Sequence, residues 1–184
     1  MISILKGEKV YLKPLEEQDI DKRTEWINDE EIQATLNYDY PAAYSKGKYW
    51  YQKVVMDQSR RDFSVFTASD DKHIGFCGLI NIEDRIRKAE LYAVIGEKDY
   101  WKGGYGTETY SILMRFGFLE LGLEKIYGYQ LVHNMGAHRV VEKLGWKRDG
   151  LLRKDLFSHG KLVDRYVVSI LREEWFERNQ QDVL

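Results

Sequence analysis

The spacing of apolar positions changes several times along the chain, and each change marks an element. KVYLKPL alternates, with Val10 and Leu12 set against Lys9, Tyr11 and Lys13, and predicts a first strand. The period then lengthens. Asp19 is placed to cap a helix over IDKRTEWIN, WINDEEIQATL follows as a second short helical piece, and Ser45 opens a third, SKGKYWYQKVVMD, with Tyr49, Val54 and Val55 on one face. Alternation returns in DFSVFTA, HIGFCGLINI and KAELYAVIG, three successive strands connected through DDK and EDRIR. Beyond a glycine-rich stretch, TYSILMRFGFLEL carries Ile112, Leu113, Phe116 and Leu119 at helical spacing. EKIYGYQLV is strand-like, and NMGAHRVVEKLG is a helix with Asn134 as N-cap and Gly145 as its stop. WKRDGLLRKDLF and KLVDRYVVSIL make a last strand pair around SHG. A strand, two or three helices, a three-strand meander and then alternating units predict an α+β fold with a mixed sheet, not a doubly wound one.

No period of 20 to 50 residues repeats and no Pro- or Ser-rich linker interrupts the chain, so residues 1–184 are expected to form a single domain. Hydrophobic residues at 43% and charged residues at 32% describe a soluble globular protein, and the apolar run at the start is too short for a signal segment or a spanning helix. With 28 basic and 30 acidic residues the net charge is −2, and no basic stripe interleaved with aromatics points to nucleic acid. Cys77, the one cysteine, sits in the apolar IGFCGLI without a CxxC or Cys/His neighbour. It reads as a small core residue, with no disulfide and no metal site expected. A cytoplasmic location is the default expectation.

Chemistry concentrates first in DYWKGGYGTET, where Gly103, Gly104 and Gly106 occupy three of four positions ahead of a helix. Unpaired N–H groups at a helix start, with the positive end of its dipole, suit a phosphate, and glycine lets a diphosphate approach them. A tight strand-to-helix turn accounts for the same residues. No Gly-Lys-Ser/Thr closes the loop as in a Walker A motif, and the Rossmann fingerprint lacks its third glycine.

The second motif, NMGAHRVVEKLGW, lies some thirty residues later. Together the two resemble the GNAT superfamily of acetyl-CoA-dependent N-acetyltransferases, and within it the group that includes the ribosomal-protein alanine acetyltransferases (RimJ/RimL-like). That superfamily couples a loop of the form (Gln/Arg)-x-x-Gly-x-(Gly/Ala) to an Asn-led helix ending Leu-Gly-Phe. Trp101, Gly104 and Gly106 fill the loop pattern, with Trp101 where Gln or Arg often stands; Asn134, Ala137, Glu142, Lys143, Leu144, Gly145 and Trp146 match the helix. WINDEE, AELYAVIG and DGLLRKDLFSHGKLVDRYVVSILREEW are similar to the same group, so the resemblance runs over roughly residues 8 to 175.

The resemblance implies a mostly antiparallel sheet of about seven strands, flanked by helices and splayed where acetyl-CoA binds as co-substrate. It implies that the backbone of Val94, Ile95 and Gly96 pairs with pantetheine. Trp101, Lys102, Gly103, Gly104, Tyr105, Gly106 and Thr107 then hold the pyrophosphate, Asn134 bonds the pantetheine arm, and Ala137, His138 and Arg139 line the far side. A homodimer through the last strands or a helix face is common in such folds.

Transfer to an amine requires a neutral nucleophile, and deprotonating an alkylammonium of pKa about 10.4 at pH 7 costs roughly 4 to 5 kcal/mol. Glu90, on the strand leading to the site, is the candidate base, and Ile95 or Val94 the backbone donor for the oxyanion. The proton donor is harder to find. The tyrosine and serine that relatives carry seven and three positions after the helix asparagine are here Val141 and Ala137. His133, Tyr129 and Tyr166 are the replacement candidates. Glu30, Glu31, Tyr38, Asp39 and Tyr40 are the candidate acceptor residues, suited to a polyamine, an aminoglycoside, an amino sugar or a peptide N-terminus. The rival expectations are a GNAT-like protein that binds acetyl-CoA without turnover, and a nucleotide-binding module for another ligand.

Overall fold

The computed structural model describes residues 5–36, 38 and 40–179. Seven strands form one sheet: β1 (Val10–Pro14), β2 (Arg61–Thr67), β3 (His73–Glu83), β4 (Lys88–Ile95), β5 (Lys125–Leu131), β6 (Lys147–Ser158) and β7 (Lys161–Leu171). Their order is β1-β2-β3-β4-β5-β7-β6. Every neighbouring pair is antiparallel except β4 and β5. That parallel pairing holds only from Lys88 to Glu90 against Lys125 to Tyr127, after which the strands part.

Helices cover both faces. On one side, α1 (Ile20–Asn28), α2 (Glu30–Gln33) and α3 (Tyr44–Val54) enclose a small core of Trp26, Ile27, Ile32, Phe76 and Val94. On the other, α4 (Tyr105–Leu119) lays Ile112, Leu113, Met114 and Phe118 against the sheet, joined by Val141 of α5 (Met135–Lys143) and Trp175 of α6 (Arg172–Arg178). The two-residue alternation of β4 divides the faces: Ala89 and Leu91 enter the larger core, while Tyr92 and Val94 turn to the helices α1 and α2. Cys77 is fully buried in the larger core, where burial pushes its thiol pKa well up.

Local chemistry explains the boundaries. Asp29 caps α2, its Oδ1 accepting the N–H groups of Glu31 and Ile32 at 3.1 Å each. Asn134 caps α5 by accepting from the Ala137 N–H at 3.1 Å, and Gly145 ends it at φ +81°. His159 and Gly160, both at positive φ, make the tight turn between β6 and β7.

Three expectations need correction, and one element was not foreseen. Asp19 occupies the residue before α1, but its carboxylate accepts from the Glu16 N–H (3.1 Å) and the Ser64 hydroxyl (2.6 Å), closing a 3-10 turn over Glu17–Asp19 instead of capping the helix. Tyr49 on α3 and Val55 just past its end face solvent, because the helix rests on its small side: a Cβ at Gly47 would meet the Thr24 hydroxyl of α1 at 2.8 Å. Leu119 is exposed, since it lies on the outer side of the last turn of α4, where Phe118 and Gly117 make the core contacts. Helix α6 follows β7 without a break, with Glu174 accepting the Leu171 N–H at 2.9 Å, and no turn residue announces it.

Candidate active site

The parting of β4 and β5 opens the sheet. In an antiparallel pair, a residue whose neighbour donates across the ladder turns its own N–H and C=O the other way. Gly96 donates to the Ile74 carbonyl at 2.8 Å, so Val94 and Gly96 address β3, while Ala93 and Ile95 turn their main-chain groups to the edge that β5 has left. The Ile95 carbonyl there accepts the Trp101 indole N–H at 2.7 Å. Trp101 thereby ties the glycine loop to the strand end. Gly96 is a glycine for packing: a Cβ would lie 2.1 Å from the Trp26 ring.

A cleft of about 630 Å³ follows, running from the strand opening to the starts of α4 and α5. Gly104 is the N-cap of α4 in the left-handed region (φ +90°), and no side chain caps that helix. A Cβ at Gly104 meets nothing within 4 Å, so the backbone conformation demands the glycine and its open face looks onto the cleft. Gly106 and Thr107 of the first turn line the cleft as well. The first turn of a fifteen-residue helix thus offers uncapped N–H groups to bare space. Lys102, Arg139 and Lys143 stand along the same walls, and among the described residues no carboxylate lines the cleft. This combination fits a diphosphate.

A second cavity, about 380 Å³, opens on the face of α1 and α3 and shares Ala93, Val94, Tyr110, Asn134 and Ala137 with the first. Glu90, Tyr129, Tyr38 and Arg165 are among its walls. Glu90 Oε2 accepts from the Asn81 amide at 2.9 Å. Burial raises its carboxyl pKa above the ordinary value, an effect that the Asn81 bond and the Arg165 charge oppose. At the junction, Tyr110 of α4 packs edge-on against Trp146 at 5.9 Å between centroids. Burial, with Cys77 close by, pushes its phenol up to about 12, so it stays protonated at neutral pH.

The expected site residues divide accordingly. Ile95, Trp101, Lys102, Gly104, Gly106, Thr107, Asn134, Ala137 and Arg139 come together around the cleft, with the Val94 side chain between the two spaces. Gly103, at φ +92°, and Tyr105, whose ring packs edge-on to Tyr100, support the loop from behind. His138 turns away: its ring nitrogens face Gln130 Oε1 at 2.8 Å and the Val132 carbonyl at 3.0 Å. His133 lies against the Ala34 carbonyl at 3.3 Å and lines neither cavity. Tyr166 is held between His138 and Arg148, outside both. Glu31 pairs with Lys98 at 2.9 Å on the solvent side of α2, and neither Glu30 nor Tyr40, which is 53% exposed, reaches the second cavity. Asp39 lies outside the described residues. Sequence reasoning missed Tyr110, Lys143, Arg23 and Arg60. Tyr110 carried a signal, since it sits one turn after the glycine loop on the helix that the loop begins.

A family model for the acetyltransferase (GNAT) domain matches residues 9–147. The chain is 30% identical over 181 residues to the probable N-acetyltransferase YjcK of Bacillus subtilis (strain 168), spanning 93% of this chain and 98% of that protein. It is 26% identical over 171 residues to the spermidine N(1)-acetyltransferase of Escherichia coli (strain K12), spanning 93% and 90%. Its fold is similar to that of the spermidine N-acetyltransferase from Vibrio cholerae in complex with CoA and spermine, with a TM-score of 0.86 over 92% of this chain and 99% of that one at 24% identity.

Proposed function

Since the chain belongs to the GNAT family of acetyl-CoA-dependent acyltransferases, we propose that it moves an acetyl group directly onto a primary amine held in the second cavity. The observation that carries this reading is the shared wall: the phosphate-suited cleft and the cavity containing Glu90 meet where β4 leaves β5. Acetyl-CoA supplies an activated acyl carbon and a thiolate leaving group. Thr107, Gly106 and Gly104 would hold its diphosphate with main-chain N–H groups, Lys102, Arg139 and Lys143 would add charge, and Asn134 would bond the pantetheine arm through its amide.

Each chemical requirement then has a residue. The Ile95 N–H, turned to the open edge, donates to the carbonyl oxygen as negative charge grows on it. Glu90 accepts the proton that the ammonium must lose, and its raised pKa brings it nearer the amine's than an exposed carboxylate would be. For the departing sulfur, the groups common to both spaces are few. The Thr35 hydroxyl already donates to the Ile32 carbonyl at 2.8 Å, and Ala137 has no donor. Tyr110 supplies the protonated phenol that Val141 and Ala137 cannot, so loss of the two usual donor positions does not require loss of turnover.

The motifs similar to the ribosomal-protein alanine acetyltransferases make a peptide N-terminus one candidate acceptor, and the likeness to spermidine N(1)-acetyltransferase makes a polyamine another. Thiol release from acetyl-CoA, measured against a panel of primary amines, tests the transfer. Amine-dependent release is expected. Thermal stabilisation by CoA with no release from any amine would leave a binding protein instead.

A further inference from the structure

The second cavity contains one charge for which acetyl transfer has no use. Arg23 of α1 is 6% exposed. Its guanidinium carbon lies 4.2 Å from the ring centre of Trp50, 4.7 Å from that of Phe76 and 5.1 Å from that of Tyr38, and its Nε has no hydrogen-bond partner. Among the described residues no carboxylate stands within ion-pairing distance of it. The other arginines of the cavity are matched. Arg60 forks onto Asp62 at 2.5 and 2.9 Å, and Asp62 also accepts the Tyr92 hydroxyl at 2.5 Å. Arg165 is paired with Asp155, its Nε at 2.7 Å.

A buried cation without a counter-ion is costly, several kcal/mol by general expectation, and aromatic faces offset only part of that. Trp50 has guanidinium groups near it from both Arg23 and Arg60, at 4.2 and 5.2 Å; Asp62 neutralises Arg60, so Arg23 leaves this end of the cavity positive, while Glu90 is the carboxylate among the described residues that line it. A linear polyamine would bring further positive charge to Arg23. A small molecule with charge of both signs fits the pattern: its ammonium goes to Glu90, and its anion meets the guanidinium of Arg23 where that residue lines the cavity.

We propose that the acceptor is a small amine bearing its own carboxylate or phosphate, which Arg23 binds as counter-ion. The inference rests on the transferase reading for what happens to the amine, and adds the class of molecule that carries it.

Calorimetry on the CoA-loaded protein with matched amines tests it: phosphoethanolamine against ethanolamine, and β-alanine against its amide, with spermidine as a third arm. The member of at least one pair that carries the anionic group should bind about tenfold or more tighter than its partner without it, and the same preference should appear in kcat/KM by thiol release. Which pair discriminates tells phosphate from carboxylate. Arg23→Gln should bring the preferred anion to the level of its partner without the anionic group, while Arg23→Lys retains part of the preference and guards against misreading a folding defect. Equal binding within both pairs, or spermidine bound more tightly than either anion, overturns the inference even if transfer occurs. Arg23-dependent binding of the anion without thiol release from any amine upholds Arg23 as the counter-ion of a bound anionic amine and removes the transferase reading.

Discussion

The two cavities are built from different materials. The cleft beside the glycine loop is made of main chain and small residues: Gly104, Gly106, Thr107, Ala137 and the free edge of β4, with cations only along the walls. The cavity under α1 and α3 is made of long side chains, Arg23, Trp50, Arg60, Tyr38 and Glu90, delivered by separate elements and fixed by one another. A site of the first kind has its specificity in backbone geometry and tolerates change in most side chains near it. A site of the second kind changes its ligand with one substitution. That asymmetry suits an enzyme whose donor is constant and whose acceptor is its own.

The largest break in this comparison should come from Gly104→Glu. It places a carboxylate where the diphosphate would rest and forces a side chain into φ +90°. Saturating CoA, which at about 100 times its dissociation constant adds roughly 2.7 kcal/mol of stability, should no longer raise the melting midpoint, while circular dichroism stays native-like. An unchanged midpoint rise in this variant would refute the cradle.

Glu90→Gln comes next. A loss of kcat between about 10² and 10⁴ is expected for a removed general base, with CoA affinity unaltered. Its stability should move the other way. Burial raises the folded pKa of Glu90, so its ionised form costs stability as pH rises through that value and none below the unfolded value. At pH 7 the glutamine variant should therefore melt no lower than the parent, and the acid limb of the kcat/KM profile should disappear with it. A lower melting point with intact kcat would make Glu90 structural.

Tyr110→Phe should lower kcat by about a hundredfold, the low end for a proton donor, because a phenol near 12 is a poor acid though a good hydrogen-bond donor. A fall in acetyl-CoA affinity with unchanged kcat would instead assign it to binding. The smallest effect belongs to Glu31→Gln, which breaks the solvent-side pair with Lys98 and should leave kcat/KM within about twofold. A larger drop would bring α2 back into the acceptor site.

The cleft was legible because the residues that build it are required by conformation. A left-handed residue ahead of a helix asks for glycine, and an N-cap asks for Asn134, so type and spacing point to the turn before the fold is known. The strand meander was legible for the same reason, through two-residue alternation. The acceptor cavity was not. Arg23 is one of five charged residues in the run from Asp19 to Glu25, and nothing local distinguishes it from the half-exposed Lys22. Its burial depends on Trp50, Phe76 and Tyr38, all brought from elsewhere in the chain. His138 and His133 misled in the converse way. His133 precedes the helix cap and His138 lies in the helix it begins, but ring direction depends on Ala34 and Gln130, partners that sequence neighbourhood does not reveal.

The short pairing between β4 and β5 also orders events on the ribosome. Three residue pairs join β5 to β4, whereas seven join it to β7, which is synthesised some thirty residues later. Everything proposed to touch phosphate has emerged once Lys143 has, but β5 stays weakly held, and Leu156 and Arg165 of the acceptor wall are still missing, until the last hairpin arrives. A nascent chain therefore has every residue that would face phosphate, and Arg23 and Glu90 as well, before the last hairpin closes the acceptor wall.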